Sequence, residues 1–326
     1  MTTKDFHQIT IPTPYEVGDV HIYVHIGEHV TMFDAGVNTD EAWSVFVNEL
    51  KKINLNPTDI KRVVLTHHHP DHTGLLERLN NVDEIYGHEI VHYWLTKDEK
   101  YLNHYLQYFN RLYDEWRVPN QYRHIVERTV QGALKYGASG SLTKFLKEGD
   151  RIPGLPSFLV IETPGHAESH LSFLDEKTGV LIGGDFLLKH ISSNPLLEPP
   201  LKIGEERPKP LLKYRNSMKH ILKFPVKTIL PGHGDIFSNH EEIIHERLLK
   251  QESRARKVLN WLREKPLSPL QICRRLFPRH YETQFGLTMS ETIGQLDYLQ
   301  SIGEVEQISN VEEIVFQTTH SLPHKI

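Results

Sequence analysis

Thr66-His67-His68-His69-Pro70-Asp71-His72 follows directly on the apolar run Val63-Val64-Leu65, and no other stretch of the chain limits its folding so strongly. A strand rises about 3.3 Å per residue and sends alternate side chains the same way. His67 and His69 therefore reach one point in space. Beyond the Pro70 bend, Asp71 and His72 reach a second point a few ångströms off. Imidazole and carboxylate suit a borderline cation such as Zn²⁺, so two adjacent points predict a dinuclear centre. A solvated His-rich loop is the alternative, and it leaves the donors further along the chain unexplained.

Those donors share one context. His166 sits in Glu162-Thr163-Pro164-Gly165-His166 after the apolar run Phe158–Ile161. Asp185 ends Gly183-Gly184-Asp185 after Val180-Leu181-Ile182, and His233 lies in Pro231-Gly232-His233-Gly234 after Thr228-Ile229-Leu230. Each is a donor on a turn at the end of a short apolar strand. The neighbouring Gly or Pro lets backbone pass close to a crowded site. One such His reads as a turn residue; a set of such clusters does not.

His67-x-His69-x-Asp71-His72 with His166, Asp185 and His233 resembles the metallo-β-lactamase-fold hydrolase superfamily. The form of Thr66–His72 is most similar to glyoxalase II, lactonases and their relatives. The resemblance covers roughly residues 6–240 and implies a four-layer αββα sandwich of the mixed α/β class. It implies that His67, His69 and His166 hold one metal and that Asp71, His72 and His233 hold the other, with Asp185 bridging. Zn²⁺ is the default ion, and the N/O donor set leaves Mn²⁺ and Fe²⁺ open. Flavodiiron relatives place Glu where this chain has His69, so the residue argues for Lewis-acid hydrolysis. Two cations lower the pKa of a bridging water toward neutrality, and Asp71 is placed to orient that nucleophile or take its proton. Asp34, in Phe33-Asp34-Ala35-Gly36, resembles the acidic residue that supports a ligand His in this superfamily. His170 resembles another supporting position. After Asp185 the chain runs Phe186-Leu187-Leu188-Lys189-His190, with no Tyr of the lactonase kind, so His190 or a Tyr from elsewhere is left to protonate the leaving group.

Composition fits a cytoplasmic enzyme. The single cysteine, Cys273, rules out an internal disulfide framework and a thiolate in the site. Met1–Val17 carries no apolar leader core, and no run approaches the ~20 apolar residues of a membrane span. The net charge of −5 points to no particular partner. Of 22 histidines, those outside the centre, such as His21, His25 and His29, read as surface or strand positions.

Along the chain, Phe6–Val17, Val20–Ile26 and Val30–Phe33 read as strands opening a β-meander. Residues 38–53 read as an amphipathic helix with Trp43, Val47 and Leu50 on its apolar face. Lys61–Thr66 is the strand that delivers the His cluster, and Gly74–Leu79 opens the next helix. Glu89–Lys147 reads as a helical insertion whose Tyr93, Trp94, Tyr101, Tyr105, Tyr108, Phe109, Tyr113 and Trp116 recur at three- and four-residue steps. Either this stripe packs the insertion on the core, or the segment is a cap over the metals. A removable cap would change substrate range more than metal content on deletion.

After about residue 240 a second unit begins: a long charged helix over Glu241–Glu264, further helices, and a short turn into Val305 and Ile314–Phe316. Thr292–Leu299 followed by Gly303-Glu304-Val305 resembles the winged-helix-like C-terminal domain of relatives of β-lactamase-like protein 2, some of which cut single-stranded RNA. Residues 246–280 hold ten basic and three acidic side chains, and 281–326 hold seven acidic and one basic. The expected activity is hydrolysis of a small-molecule ester, thioester or lactone. RNA or phosphodiester cleavage is the alternative, with the basic run as its phosphate track. No membrane is expected as partner, and the C-terminal unit reads as a dimerisation or core-covering module.

Overall fold

The computed structural model describes residues 6–309 and 314–319. Residues 1–5, 310–313 and 320–326 lie outside the described residues, among them Glu312, Glu313 and Lys325 of the tail counted above. β1 (Phe6–Ile11) pairs antiparallel with β2 (Val20–Ile26), from Phe6 opposite His25 to Ile11 opposite Val20. The first strand ends six residues earlier than the apolar pattern suggests. Pro12 and Pro14 each lack a backbone donor, and the chain turns there, with Thr13 Oγ1 donating to Gly18 O at 2.6 Å.

β3 (Val30–Phe33) lies antiparallel to β2. α1 (Asp40–Lys52) follows, with Thr39 Oγ1 accepting from Ala42 N at 3.1 Å and Asp40 and Glu41 in its first turn. Its buried stripe is Ala42, Phe46 and Leu50, whereas Trp43 and Val47 sit half-buried beside it. β4 (Ile60–Val64) continues the sheet parallel to β3. After it come the one-turn helix α2 (Pro70–Thr73) and a 3-10 turn over Gly74–Arg78, in place of the helix expected from Gly74. β5 (Glu84–Gly87) is parallel to β4.

The insertion forms α3 (Glu89–Leu95), α4 (Glu99–Glu115) and α5 (Asn120–Tyr136). It then rejoins the first sheet through β6 (Lys144–Phe145), so its last residues are sheet edge and not helix. The second sheet contains β7 (Arg151–Ile152), β8 (Leu155–Glu162), β9 (Leu171–Asp175) and β10 (Val180–Gly184). α6 (Pro210–Ile221) covers it, and β11 (Thr228–Pro231) completes the order β11-β10-β9-β8-β7.

Alternation along the strands separates three apolar layers. Phe33, Val64 and Tyr86 face Phe158, Val160, Phe173 and Ile182 between the sheets, and Phe33 stacks on Phe158 at 5.5 Å. The other face of the first sheet packs Ile22, Val24, Met32 and Val63 on α1. The other face of the second packs Ile161, Leu174, Leu181 and Ile229 on Tyr214, Met218 and Ile221 of α6. The result is the αββα sandwich.

A further apolar cluster decides how the rest is attached. α7 (His240–Glu264), α8 (Pro269–Leu276) and α9 (Phe285–Ser301) are followed by the hairpin β12 (Val305–Ser309) and β13 (Ile314–Thr318). The insertion's stripe, including Trp94, Tyr105, Phe109 and Tyr113, shares one core with Val258, Leu262, Phe285, Met289 and Ile293 of these helices. Tyr122 and Phe285 stack at 4.4 Å across that junction. The C-terminal helices therefore bury the face that the insertion would otherwise leave in water. Among the described residues, no helix is long and apolar enough to cross a membrane.

Candidate metal centre

The residues following β4, β8, β10 and β11 meet at one end of the sandwich. Leu171 N donates to Thr66 O at 2.8 Å, which ties the end of β4 to the start of β9. Around this junction four groups of donor atoms gather: His67, His69 and His166; His67, His72 and Asp185; Asp71, His72 and His233; and, beside the first, His68, His69 and Glu198.

In the first group, His67 Nε2 lies 2.9 Å from His69 Nδ1, which lies 3.1 Å from His166 Nε2. Two nitrogens on a tetrahedral Zn²⁺ sit about 3.3 Å apart, given Zn–N bonds of about 2.0–2.1 Å. The remaining nitrogens of His67 and His166 are held from behind. His67 Nδ1 lies 2.9 Å from Thr66 Oγ1, whose own proton goes to Asp34 Oδ2 at 2.9 Å, so the imidazole donates to the hydroxyl. His166 Nδ1 donates to Asn194 O at 3.1 Å. Both rings thus offer Nε2 forward.

The second group is built the same way. His72 Nδ1 donates to Asp34 Oδ2 at 2.8 Å, and His233 Nδ1 donates to Asp19 O at 2.6 Å. His233 Nε2 lies 3.4 Å from Asp71 Oδ2. Asp185 stands between the groups, 3.4 Å from His72 Nε2, 3.5 Å from His166 Nε2 and 3.5 Å from His233 Nε2. Its backbone N–H donates to His170 Nε2 at 3.1 Å, so the His170 proton is on Nδ1 and goes to Thr163 Oγ1 at 2.8 Å. His170 is buried, not exposed.

Backbone geometry makes room for this crowding. A Cβ on Gly232 would fall on Asp185 Oδ1 and come 2.8 Å from His72 Cε1. Gly184 has φ +46°, and a Cβ there would meet Thr66 Oγ1 at 2.7 Å.

His72 Nε2, His233 Nε2 and Asp185 Oδ1 are buried, and among the described residues they have no hydrogen bond beyond the loose 3.4–3.5 Å pairings with one another and with Asp71 and the Asp185 carboxylate. Leaving such atoms poorly paired is costly, and a cation would satisfy all of them. Charge agrees. Burial and the neighbouring His72 and His69 hold His67 well below the ordinary histidine range, and burial lowers His69 and His166 as well. These are neutral imidazoles, the form that ligates metal. Burial also pushes His72 and His233 down, but Asp185 leads the carboxylates that overcome it. His72 is held well above the ordinary range and His233 is brought up to about 10. The carboxylates thus favour positive charge where the second group converges, and the donor set fits divalent cations.

Several contributors carry no sequence signal of their own. His68 stacks on Trp94 at 5.1 Å, pairs with Ser169 Oγ at 2.8 Å and sets its ring edge-on to that of His69 at 4.9 Å. His21 grips the His233 loop, its N–H donating to Gly232 O at 2.7 Å and its ring pairing with Gly234 O at 2.8 Å. Glu198 is buried beside His68 and His69. His190 instead lies at the surface, 3.0 Å from Asp235, and Cys273 is buried outside the centre. In front of the donors lies a cavity of about 860 Å³, walled by Trp94, Tyr105, Phe109 and Trp116 of the insertion and by Phe285 and Met289 of α9.

A two-sheet sandwich with His and Asp donors at its strand ends defines a metallohydrolase. Residues 16–233 match the Metallo-beta-lactamase superfamily, and the chain belongs to that superfamily. It is 38% identical over 318 residues, 98% of this chain and 99% of the other, to probable metallo-hydrolase YqjP of Bacillus subtilis (strain 168). Over 97 residues, 30% of this chain and 27% of the other, it is 26% identical to an atrochrysone carboxyl ACP thioesterase of Aspergillus fumigatus. Its fold is similar to that of a metallo-beta-lactamase family protein from Thermus thermophilus, with TM-score 0.80 and 24% identity over 97% of this chain and 99% of that one. A beta-lactamase domain protein from Burkholderia ambifaria gives TM-score 0.77 and 19% identity over 97% and 92%. These two likenesses span the insertion and the C-terminal helices as well as the sandwich.

Proposed function

We propose that this metallohydrolase holds two divalent cations, Zn²⁺ first among them, and cleaves a small-molecule ester, thioester or lactone. His67, His69 and His166 would take one ion, Asp71, His72 and His233 the other, with Asp185 between them. The observation that carries the reading is the convergence of poorly paired His72 Nε2, His233 Nε2 and Asp185 Oδ1 beside Asp71 Oδ2. Bound cations would supply Lewis acidity and activate water near neutral pH. The chain's own part is orientation. Asp34, Thr66, Asn194 and Asp19 fix which ring nitrogen each histidine presents. Asp71 borders the cavity, where it orients the attacking water and accepts its proton. We read residues 1–240 as the catalytic unit and 241–326 as a winged-helix-like unit that completes the cavity wall.

The acyl substrate is favoured over RNA because at least five of the ten basic side chains in the run are engaged within the protein. Arg247 donates to the carbonyls of Leu188 and Ile191, Arg254 pairs with Glu291 and Lys250 with Glu246. Arg274 and Arg275 lie over the rings of Tyr281 and Trp261. The partial similarity to a named thioesterase is in keeping with the thioester branch.

Elemental analysis, with the same preparation assayed on a thioester, a lactone, a phosphodiester and a short RNA, tests this reading. About two metals per chain with acyl turnover supports it. RNA cleavage would promote the alternative, and fewer than one metal after reconstitution would sink the dinuclear mechanism.

A further inference from the structure

The cavity lies directly on the donor atoms, since His69, Asp71, His166, Asp185 and His233 form its floor. Above them the wall is aromatic and aliphatic: Trp94, Tyr105, Phe109, Trp116, Phe285 and Met289. Its volume of about 860 Å³ is far more than an acetyl or lactoyl group fills, and lies within the 300–1,000 Å³ of ordinary ligand pockets. Arg128, exposed at the rim, is the one Lys or Arg among the described lining residues. A substrate carrying phosphate or carboxylate into this space would find no Lys or Arg on the inner wall, only Arg128 at the rim.

One buried carboxyl is built into the wall above the donors. Glu198 is 3% exposed, its Oε1 accepts from Glu168 N at 3.3 Å, and its Oε2 has no hydrogen-bond partner among the described residues. It lies on the strap joining β10 to α6, which α9 holds in place. Leu197 N donates to Ser290 Oγ at 3.1 Å, and Arg207 pairs with Asp297. The same strap supplies Asn194 O to His166. The carboxyl is thus fixed in an apolar wall next to the proposed metals, where it meets whatever enters beside the scissile group.

Resting on the hydrolase reading above, we propose that the substrate is an ester or thioester of a medium-length apolar acyl or aryl acid. Its hydrocarbon fills the cavity between insertion and α9, and the apolar wall discriminates against acyl groups that end in an anion. Burying hydrocarbon favours longer chains by up to about fourfold per methylene. Burying a carboxylate without a partner is strongly unfavourable.

The test uses the full-length, metal-loaded protein with p-nitrophenyl acetate, butyrate and octanoate and the p-nitrophenyl monoester of octanedioic acid. We expect kcat/KM to rise at least about tenfold from butyrate to octanoate. The carboxyl-ended ester should fall about a hundredfold below octanoate. Gly132, on α5, lines the cavity, and a Cβ there meets nothing within 4 Å. Gly132→Phe should therefore lower the octanoate-to-acetate ratio at least about tenfold. Calorimetric binding of 1-octanol, weakened by Gly132→Phe, reads the pocket without turnover. Esters cleaved with no chain-length preference and no octanol binding would overturn the acyl pocket and leave the hydrolase standing. Octanol bound with no ester or thioester cleaved would keep the pocket and overturn the hydrolase reading instead.

Discussion

Asp34 Oδ2 accepts from His72 Nδ1 at 2.8 Å, and the same carboxylate accepts from Thr66 N at 2.7 Å and Thr66 Oγ1 at 2.9 Å. Thr66 Oγ1 in turn faces His67 Nδ1. One side chain thereby sets the tautomer of a histidine in each donor group. It does so from φ +60°, a conformation that Asp and Asn tolerate better than most residues.

Asp34→Asn keeps that backbone and loses the charge. Metal affinity should drop about 10–100-fold, as it does when such supporting partners are removed. A chelator-competition titration reads this, and unchanged affinity would show that the contact only packs.

Asp185 lies within 3.5 Å of nitrogens from both groups. Asp185→Asn should weaken both metals together and lower turnover at least about a hundredfold, since one interaction of this kind is worth several kcal/mol. Loss of a single metal, or full activity, would refute the bridging role.

Gly232→Ala places a methyl group on Asp185 Oδ1. The variant should be destabilised by about 1–3 kcal/mol, the usual cost of overpacking, and should bind less metal. Denaturant melts and elemental analysis measure the two effects separately.

Burial, reinforced by Glu168, holds the Glu198 carboxyl well above the usual carboxylate range. Below the unfolded-state pKa near 4.3, both states are protonated and the group is neutral to stability. Above it the unfolded chain ionises while the folded one resists, so stability falls as pH rises toward the folded pKa. Glu198→Gln escapes this cost. Its melting temperature in metal-free protein should match wild type at pH below the unfolded pKa and exceed it increasingly as pH rises above that value, until the folded carboxyl ionises as well. A gap that does not change with pH would be evidence against a buried neutral carboxyl.

Deleting 89–147, or truncating after residue 239, should yield aggregated or unfolded protein and not a trimmed enzyme. Each half of the cluster joining Trp94, Tyr113 and Tyr122 to Phe285 and Met289 would lose its cover. Circular dichroism and size exclusion decide this. A folded, metal-binding deletion variant would restore the removable cap that the sequence suggested.

The donors are legible in the sequence because each stands just beyond an apolar run, where a strand must end, and because His and Asp next to Gly or Pro is an uncommon way to end one. The layers are legible for a related reason. A period of two along β9 sends Phe173 to one face and Leu174 to the other. What holds the donors is not legible. Asn194 O and Asp19 O are backbone acceptors that any residue type could supply, and the His21 grip on Gly232 and Gly234 reaches backbone far along the chain. The stripe from Trp94 to Trp116 announces an apolar face, yet periodicity cannot say what covers it. Only the tertiary structure sets α9 against that face, leaves a cavity between them and turns Glu198 into it. Strand ends and amphipathic faces are local consequences of residue order. The partner of a face is fixed by the global packing that buries it.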